Sequence, residues 1–404
     1  MKILWANPNF LHPTTKGGQI RTLEMLRCLH REHEIHYVAL IDPKHPEGPA
    51  RASEYSSRAY PIAHHPPVRG SVSFALHAAG ALLDPLPLAI SRWRSAAMRQ
   101  QIETLLDRER FDSVVCDFLA PAPNFPSLAG CVLFQHNVET VIWRRHQETA
   151  GSAVRRAYLG LQAKRMESYE ARCCRESQHV IAVSETDAGR MREWFGLADV
   201  SWVPTGVDLD SFAPPAGRAA DSARASDLVF TGSMDWSPNI DGMLWFAAAV
   251  LPLIRAQRPS TAVAIVGRDP VPALRKLAVA DPLIRVTGTV PDIRPWFWES
   301  AVSIVPLRVA GGTRLKIFEA VAAGVPVVST SIGAEGLPLT HPSQIRLADS
   351  PAAFAGECLA LLASRDLRRD IAAQALHYVA ERYSWAKVTA QFAGILARFP
   401  YPRL

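Results

Sequence analysis

Residues 301–330 read AVSIVPLRVAGGTRLKIFEAVAAGVPVVST. The opening run, AVSIVPL at 301–307, is apolar and rich in β-branched residues, the pattern of a strand buried on both faces. Gly311 and Gly312 follow. Thr313, Arg314 and Lys316 then open a segment, LKIFEAVAA, whose apolar residues recur at helical spacing, and VPVVST at 325–330 reads as a second strand. Strand, glycine loop, helix and strand make a βαβ unit, and therefore a parallel sheet. At the carboxyl end of such a strand the helix N-terminus offers unpaired N–H groups and a partial positive charge, which suit a phosphate. Glu319 stands one turn further on, between Phe318 and Ala320, where a carboxylate is costly unless something hydrogen-bonds to it. Ribose hydroxyls would do so. The alternative is an ordinary helix start in which Lys316 and Glu319 form a surface pair worth about 0.2–0.5 kcal/mol.

The same alternation extends in both directions. Upstream strand candidates are KILWA (2–6), EIHYVAL (34–40), FDSVVCDF (111–118), CVLFQHN (131–137), HVIAVS (179–184) and VSWVPT (200–205). A second series comprises LVFTGS (228–233), TAVAIVG (261–267), IRVTGTV (284–290), AVSIVPL and VPVVST. Helical patterns lie between most of them, the first from about Gly18 to His30. The stretch VPTGVDLDSFAPPAGRAADSARASD, rich in Pro, Gly, Ala and Asp, separates the two series and reads as a linker. A chain of 404 residues is about twice the length at which one core stops growing. Two α/β domains are therefore expected, 1–205 and 206–385, with a final amphipathic helix over 386–404.

Composition excludes some classes. Hydrophobic residues make up 48% and charged residues 20%, as in ordinary globular proteins. The net charge of +6 suits anionic substrates or acidic lipids, and no interleaved basic–aromatic motif points to nucleic acid. Six cysteines form no CxxC pair, so neither zinc nor a disulfide scaffold is signalled, and a cytoplasmic setting is expected. The most apolar long window, 72–90, is interrupted by His77, Asp84, Pro85 and Pro87, too broken for a membrane span.

Candidate ligand-binding residues stand at strand ends. Gly17 and Gly18 follow the first strand and open the first helix, where main chain could approach a phosphate; a glycine pair is also commonly just a turn. His136, Asn137 and Glu139 end the strand at 131–137 and could grip a sugar or move a proton, although a lone histidine is often structural. Ser184 is explained fully as a helix N-cap. Arg308, Arg314 and Lys316 are the cations nearest the glycine loop.

Together these stretches resemble retaining glycosyltransferases of the GT-B fold, family 4. The resemblance is carried by Gly17-Gly18, HNVE (136–139), VSETD (183–187), PTGVD (204–208), FTGSMDWSPN (230–239), VGR (266–268), VTGTVPD (286–292) and PLRVAGGTRLKIFEAVAAGVPVVST (306–330). It implies two Rossmann-like doubly wound domains facing a central cleft. The acceptor would be held by the first domain and a nucleoside-diphosphate sugar by the second, with the last helix crossing back to the first. It implies a hexosyl-type transferase that retains anomeric configuration. Cations and helix N-termini can stabilise a departing diphosphate, and no DxD-like pair stands in a suitable loop, so neither a metal nor another cofactor is expected. Glu319 takes the place of the acid that binds the donor's ribose, His136 that of the histidine near the donor sugar, and Gly311-Gly312, with Thr313, that of the loop facing sugar and diphosphate. Gly232 lies in the loop after the second domain's first strand.

Two departures bear on the chemistry. The glutamate usual ahead of Glu319, with seven residues between the two, is replaced by Gly311, and GSMDWSPN lacks the usual basic residues. Arg314 or Lys316, with Arg308, is therefore expected to supply the charge that stabilises the leaving diphosphate. The acceptor is expected to be a glycan, a polysaccharide or a lipid-linked sugar. The pairs Arg144-Arg145, Arg155-Arg156 and Lys164-Arg165 form either a solvated helix face or a surface that meets an anionic membrane. A nucleotide-sugar epimerase or isomerase, and a non-catalytic nucleotide-sugar-binding partner, remain the alternatives.

Overall fold

The structure is a computed structural model that describes residues 1–14, 17–64, 84–148, 150–215, 226–309 and 315–402. The chain divides into two compact units, Met1–Thr205 with Trp385–Leu404, and Gly206–Ser384.

The first unit is built on a seven-stranded parallel sheet in the order β3-β2-β1-β4-β5-β6-β7. Its strands are β1 (Lys2–Asn9), β2 (Glu34–Leu40), β3 (Arg58–Ile62), β4 (Ser113–Asp117), β5 (Val132–Phe134), β6 (His179–Ala182) and β7 (Ser201–Trp202). Alternate residues along β1 feed the two faces. Leu4 and Ala6 join one apolar cluster, and Ile3 and Trp5 the other. The helices that shape the site are α1 (Gly17–Leu29), α2 (Glu139–Glu148), α3 (Ala153–Glu176) and α4 (Glu185–Phe195).

The second unit has a six-stranded parallel sheet in the order β10-β9-β8-β11-β12-β13. These are β8 (Ser226–Thr231), β9 (Val263–Val266), β10 (Ile284–Val286), β11 (Ser300–Val305), β12 (Val327–Ser329) and β13 (Arg346–Leu347). Helices α5 (Ser237–Trp245) and α6 (Leu315–Ala322) follow β8 and β11. The helical stretch Ser237–Arg255 is long and apolar enough by composition to cross a membrane. Its Met243, Phe246, Val250 and Ile254 are nevertheless packed in the core of this unit, as the helix layer of an α/β domain requires.

The closing helix α7 (Trp385–Arg398) belongs to the first unit because its apolar stripe is used there. The Phe392 ring lies 5.6 Å from Trp5 and 5.0 Å from Phe134. The sequence reading lacked two strands, β3 and β13, both at sheet edges. β3 carries Pro61, tolerated at an edge because that N–H needs no ladder partner. β13 is two residues long, too short for a periodic signal.

Candidate functional site

In each sheet the strand order reverses beside the first strand, at β1/β4 and β8/β11, where ligands of open α/β sheets bind. Polar groups gather at both places.

In the second unit, β8 is followed by Gly232 and β9 by Gly267, both with φ of 155°, a region that favours glycine. A Cβ on Gly267 would stand 1.7 Å from the carbonyl oxygen of Gly232, and one on Gly232 would stand 2.8 Å from Lys316 Nζ. The main chain is thus bare where the helix ends converge. Lys316 Nζ donates to Asn239 Oδ1 (2.9 Å) and lies 4.1 Å from the centre of the Phe230 ring. Asn239 in turn donates to the Ser233 carbonyl (2.8 Å), which holds the loop after β8 against α6. Glu319, one turn beyond Lys316, is half-buried. Burial pushes its carboxyl up to about 7, with Lys316 pulling the other way. Among the described residues, no hydrogen bond or ion pair reaches that carboxylate. A desolvated acid without a donor is poised to accept hydroxyl groups.

In the first unit the centre is Asp117, the last residue of β4, with no exposed surface. Oδ2 accepts from Trp5 Nε1 (3.0 Å), Asn7 Nδ2 (2.6 Å) and Thr22 Oγ1 (2.8 Å), while Oδ1 lies 2.7 Å from His136 Nε2. The His136 ring stacks on Phe118 at 3.8 Å. Burial lowers its proton affinity, and Asp117 opposes that shift. A carboxylate only accepts, so Nε2 carries the proton and Nδ1 is left as an acceptor. Gly18 closes the other side; a Cβ there would be 2.7 Å from Phe118 Cζ and 3.7 Å from His136 Nδ1.

The profile of Glycosyltransferase Family 4 matches residues 15–211, and that of Glycosyl transferases group 1 matches 225–364. The chain belongs to the family 4 glycosyltransferases. A D-inositol 3-phosphate glycosyltransferase from Streptomyces bingchenggensis is 29% identical over 55% of this chain and 53% of its own length, so the chain spans about half of that relative. A GDP-mannose-dependent alpha-(1-6)-phosphatidylinositol monomannoside mannosyltransferase from Mycobacterium tuberculosis is 30% identical over 54% of this chain and 61% of its own length. An uncharacterised protein of the Klebsiella pneumoniae cps region aligns over 96% of this chain and 97% of its own length at 21% identity. Among solved structures, sucrose-phosphate synthase from Thermosynechococcus elongatus covers 98% of both chains with a TM-score of 0.70 at 14% identity. HepE from Anabaena in complex with UDP covers 98% of this chain and 100% of its own with a TM-score of 0.68 at 13% identity. These likenesses establish the GT-B fold.

Within this family 4 glycosyltransferase, the residues singled out from the sequence fall into four groups. Gly18 and His136 meet at the β1/β4 switch point, and Gly232, Lys316 and Glu319 lie at the β8/β11 end. Gly311, Gly312, Thr313 and Arg314 lie outside the described residues. The others have the following surroundings. Arg308 is held by Asp241 in a two-point pair at 3.0 and 2.5 Å. Ser184 caps α4 by accepting from the Asp187 N–H at 3.1 Å. Gly17 begins α1 and is exposed, and Asn137 is half-buried just before α2.

Glu139 opens α2. Its N–H donates to Glu170 Oε1 (2.9 Å), and the Thr140 N–H and hydroxyl donate to Oε2 (2.8 and 2.6 Å). A buried acid from α3 therefore caps α2, and burial pushes the carboxyls of both Glu139 and Glu170 up to about 7. Sequence reasoning missed Asp117, Asn7, Thr22, Asn239 and Arg268. Arg268 lies just after Gly267 and is only loosely paired, 3.7 Å from Asp235 and 3.8 Å from Asp269. The available signals were an acid ending an apolar strand and the Pro-Asn opening of α5.

Proposed function

We propose that the protein transfers a hexose from a nucleoside-diphosphate sugar to an acceptor hydroxyl, with retention at the anomeric carbon and without a metal ion. The observation that carries this reading is Glu319, a desolvated carboxylate lacking a donor, beside Lys316 at the glycine-lined ends of β8 and β9. Glu319 accepts the two ribose hydroxyls. Lys316, with Arg314 and the main chain of Gly311-Gly312, neutralises the charge that grows on the departing diphosphate. His136 Nδ1 accepts a hydroxyl of the donor sugar, its ring held by Asp117.

In the reaction the bond from the anomeric carbon to the diphosphate oxygen breaks, and a bond to the acceptor oxygen forms on the same face. The acceptor's proton passes to the leaving phosphate. The acceptor is a glycan or a lipid-linked sugar, the latter in keeping with what the mycobacterial relative acts on. A peripheral contact with an anionic membrane from the cytoplasmic side fits α3. Val154, Tyr158 and Leu161 are 83%, 40% and 41% exposed at helical spacing, beside Arg155, Arg156 and Lys164, and no acid occurs from Thr149 to Met166. Apolar insertion combined with basic charge is the pattern of such contacts.

The test is calorimetric titration with UDP and GDP, followed by NMR of the product formed from a matching nucleotide sugar in the presence of EDTA. The expected result is transfer with an unchanged anomeric configuration. An inverted product sinks retention, and a strict need for Mg²⁺ or Mn²⁺ sinks metal independence. Conversion of the donor alone to a different sugar nucleotide replaces transfer by isomerisation.

A further inference from the structure

Helix α1 carries an arginine with no apparent partner. Arg21 is 1% exposed, and its Nε, Nη1 and Nη2 are all buried without a hydrogen bond among the described residues. Burial lowers its proton affinity, down to about 9, and Asp117 and Asp187 support its charge, so the guanidinium is positive at neutral pH. Its place in the helix is set by Gly18, which shares its face, and by Thr22, which follows it in the chain. Gly18, three residues earlier, touches Phe118 and lies beside His136. Thr22, the next residue, donates to Asp117.

A buried guanidinium without a hydrogen bond carries a desolvation penalty that nothing repays, so an apolar side chain of similar volume would be as stable or more so. What it does supply is charge, directed at Asp117 and His136. With Arg21 positive, Asp117 negative and the Asp187 carboxylate paired with Arg190 at 3.3 Å, the charges balance while the imidazole is neutral. Without Arg21, the carboxylate's remaining counter-charge would come from protonating His136. The other groups facing the pair are Trp5 and Asn7 from β1 and Thr22 from α1, all neutral donors, and Asp187 from α4.

We infer that Arg21 is a positioning residue whose unbonded charge keeps His136 neutral against Asp117, so that Nδ1 remains an acceptor for a ligand hydroxyl. The inference rests on His136 having the accepting role given above, but its test needs no substrate. The experiment is NMR titration of the His136 ring nitrogens in the full chain, assigned with His136→Gln, together with thermal unfolding, for wild type, Arg21→Met and Arg21→Lys. In Arg21→Met the His136 midpoint should rise by about one pH unit, as expected from removing one charge at close range, while the melting temperature holds or rises. Arg21→Lys should return the midpoint towards wild type. An unmoved midpoint in Arg21→Met overturns the inference, and so does a loss of melting temperature without a shift. Should Arg21→Met not fold, Arg21→Gln carries the same two readouts. If the titration behaves as described while transfer proves absent, the proposed reaction fails and the electrostatic role stands.

Discussion

Replacing Glu319 by Gln should make the protein more stable and less able to bind nucleotide, and the gain in stability should depend on pH. The carboxyl sits at about 7 in the folded chain against an ordinary 4.5. A raised acid means that between these values the unfolded chain has released its proton while the folded chain still holds it. Stability is therefore present below pH 4.5, is lost as pH rises through 7, and stays reduced above it. The difference corresponds to about 3 kcal/mol, and since solvent reaches part of this side chain a working figure is about 2 kcal/mol.

Glutamine has nearly the same shape and never ionises, so the variant escapes the penalty. Urea unfolding of both proteins, followed through the tryptophans of the second unit, should show them nearly equal at about pH 4.5 and the variant ahead by about 2 kcal/mol at about pH 8. The same change should weaken UDP or GDP binding by roughly 10- to 100-fold, the worth of charge-assisted hydrogen bonds to two hydroxyls. A stability difference that is the same at both pH values, or a variant less stable at high pH, would refute the reasoning. Either result would mean that the carboxylate already has a donor.

Four further outcomes follow from named contacts. Asp117→Asn removes the charge that accepts four donors, so activity should fall by roughly 100- to 10,000-fold with a stability loss of about 3 kcal/mol, read by steady-state rates and urea unfolding. Gly267→Ala forces a methyl group to within 1.7 Å of the Gly232 carbonyl oxygen, and the strain should lower stability by about 3 kcal/mol or more in the same unfolding assay. Lys316→Gln should weaken nucleoside-diphosphate binding by roughly 10-fold in low salt, with a smaller difference in high salt. Arg308→Gln, whose guanidinium is occupied by Asp241, should change affinity by less than about twofold in the same calorimetric titrations.

The layout was legible in the residue pattern. Apolar β-branched runs alternating with helical spacing admit only parallel sheets covered by helices, and eleven expected strands appear as β1, β2 and β4 to β12. Position along a βαβ unit also places His136 and Gly232 just after strands and Gly18, Lys316 and Glu319 in the opening turns of the helices that follow, because helix N-termini and strand carboxyl ends are adjacent in any such unit. Which side chains are matched there depends on how the strands and helices stack. Asp117 lies 19 residues before His136 and 95 after Thr22, and no local pattern joins residues that meet only when β1, β4 and α1 are stacked. Asn239 and Lys316 are 77 residues apart for the same reason. The pairing of Arg308 with Asp241 and the isolation of Arg21 follow from packing as well, since a charge's partner is set by distance through the folded interior and not by distance along the chain.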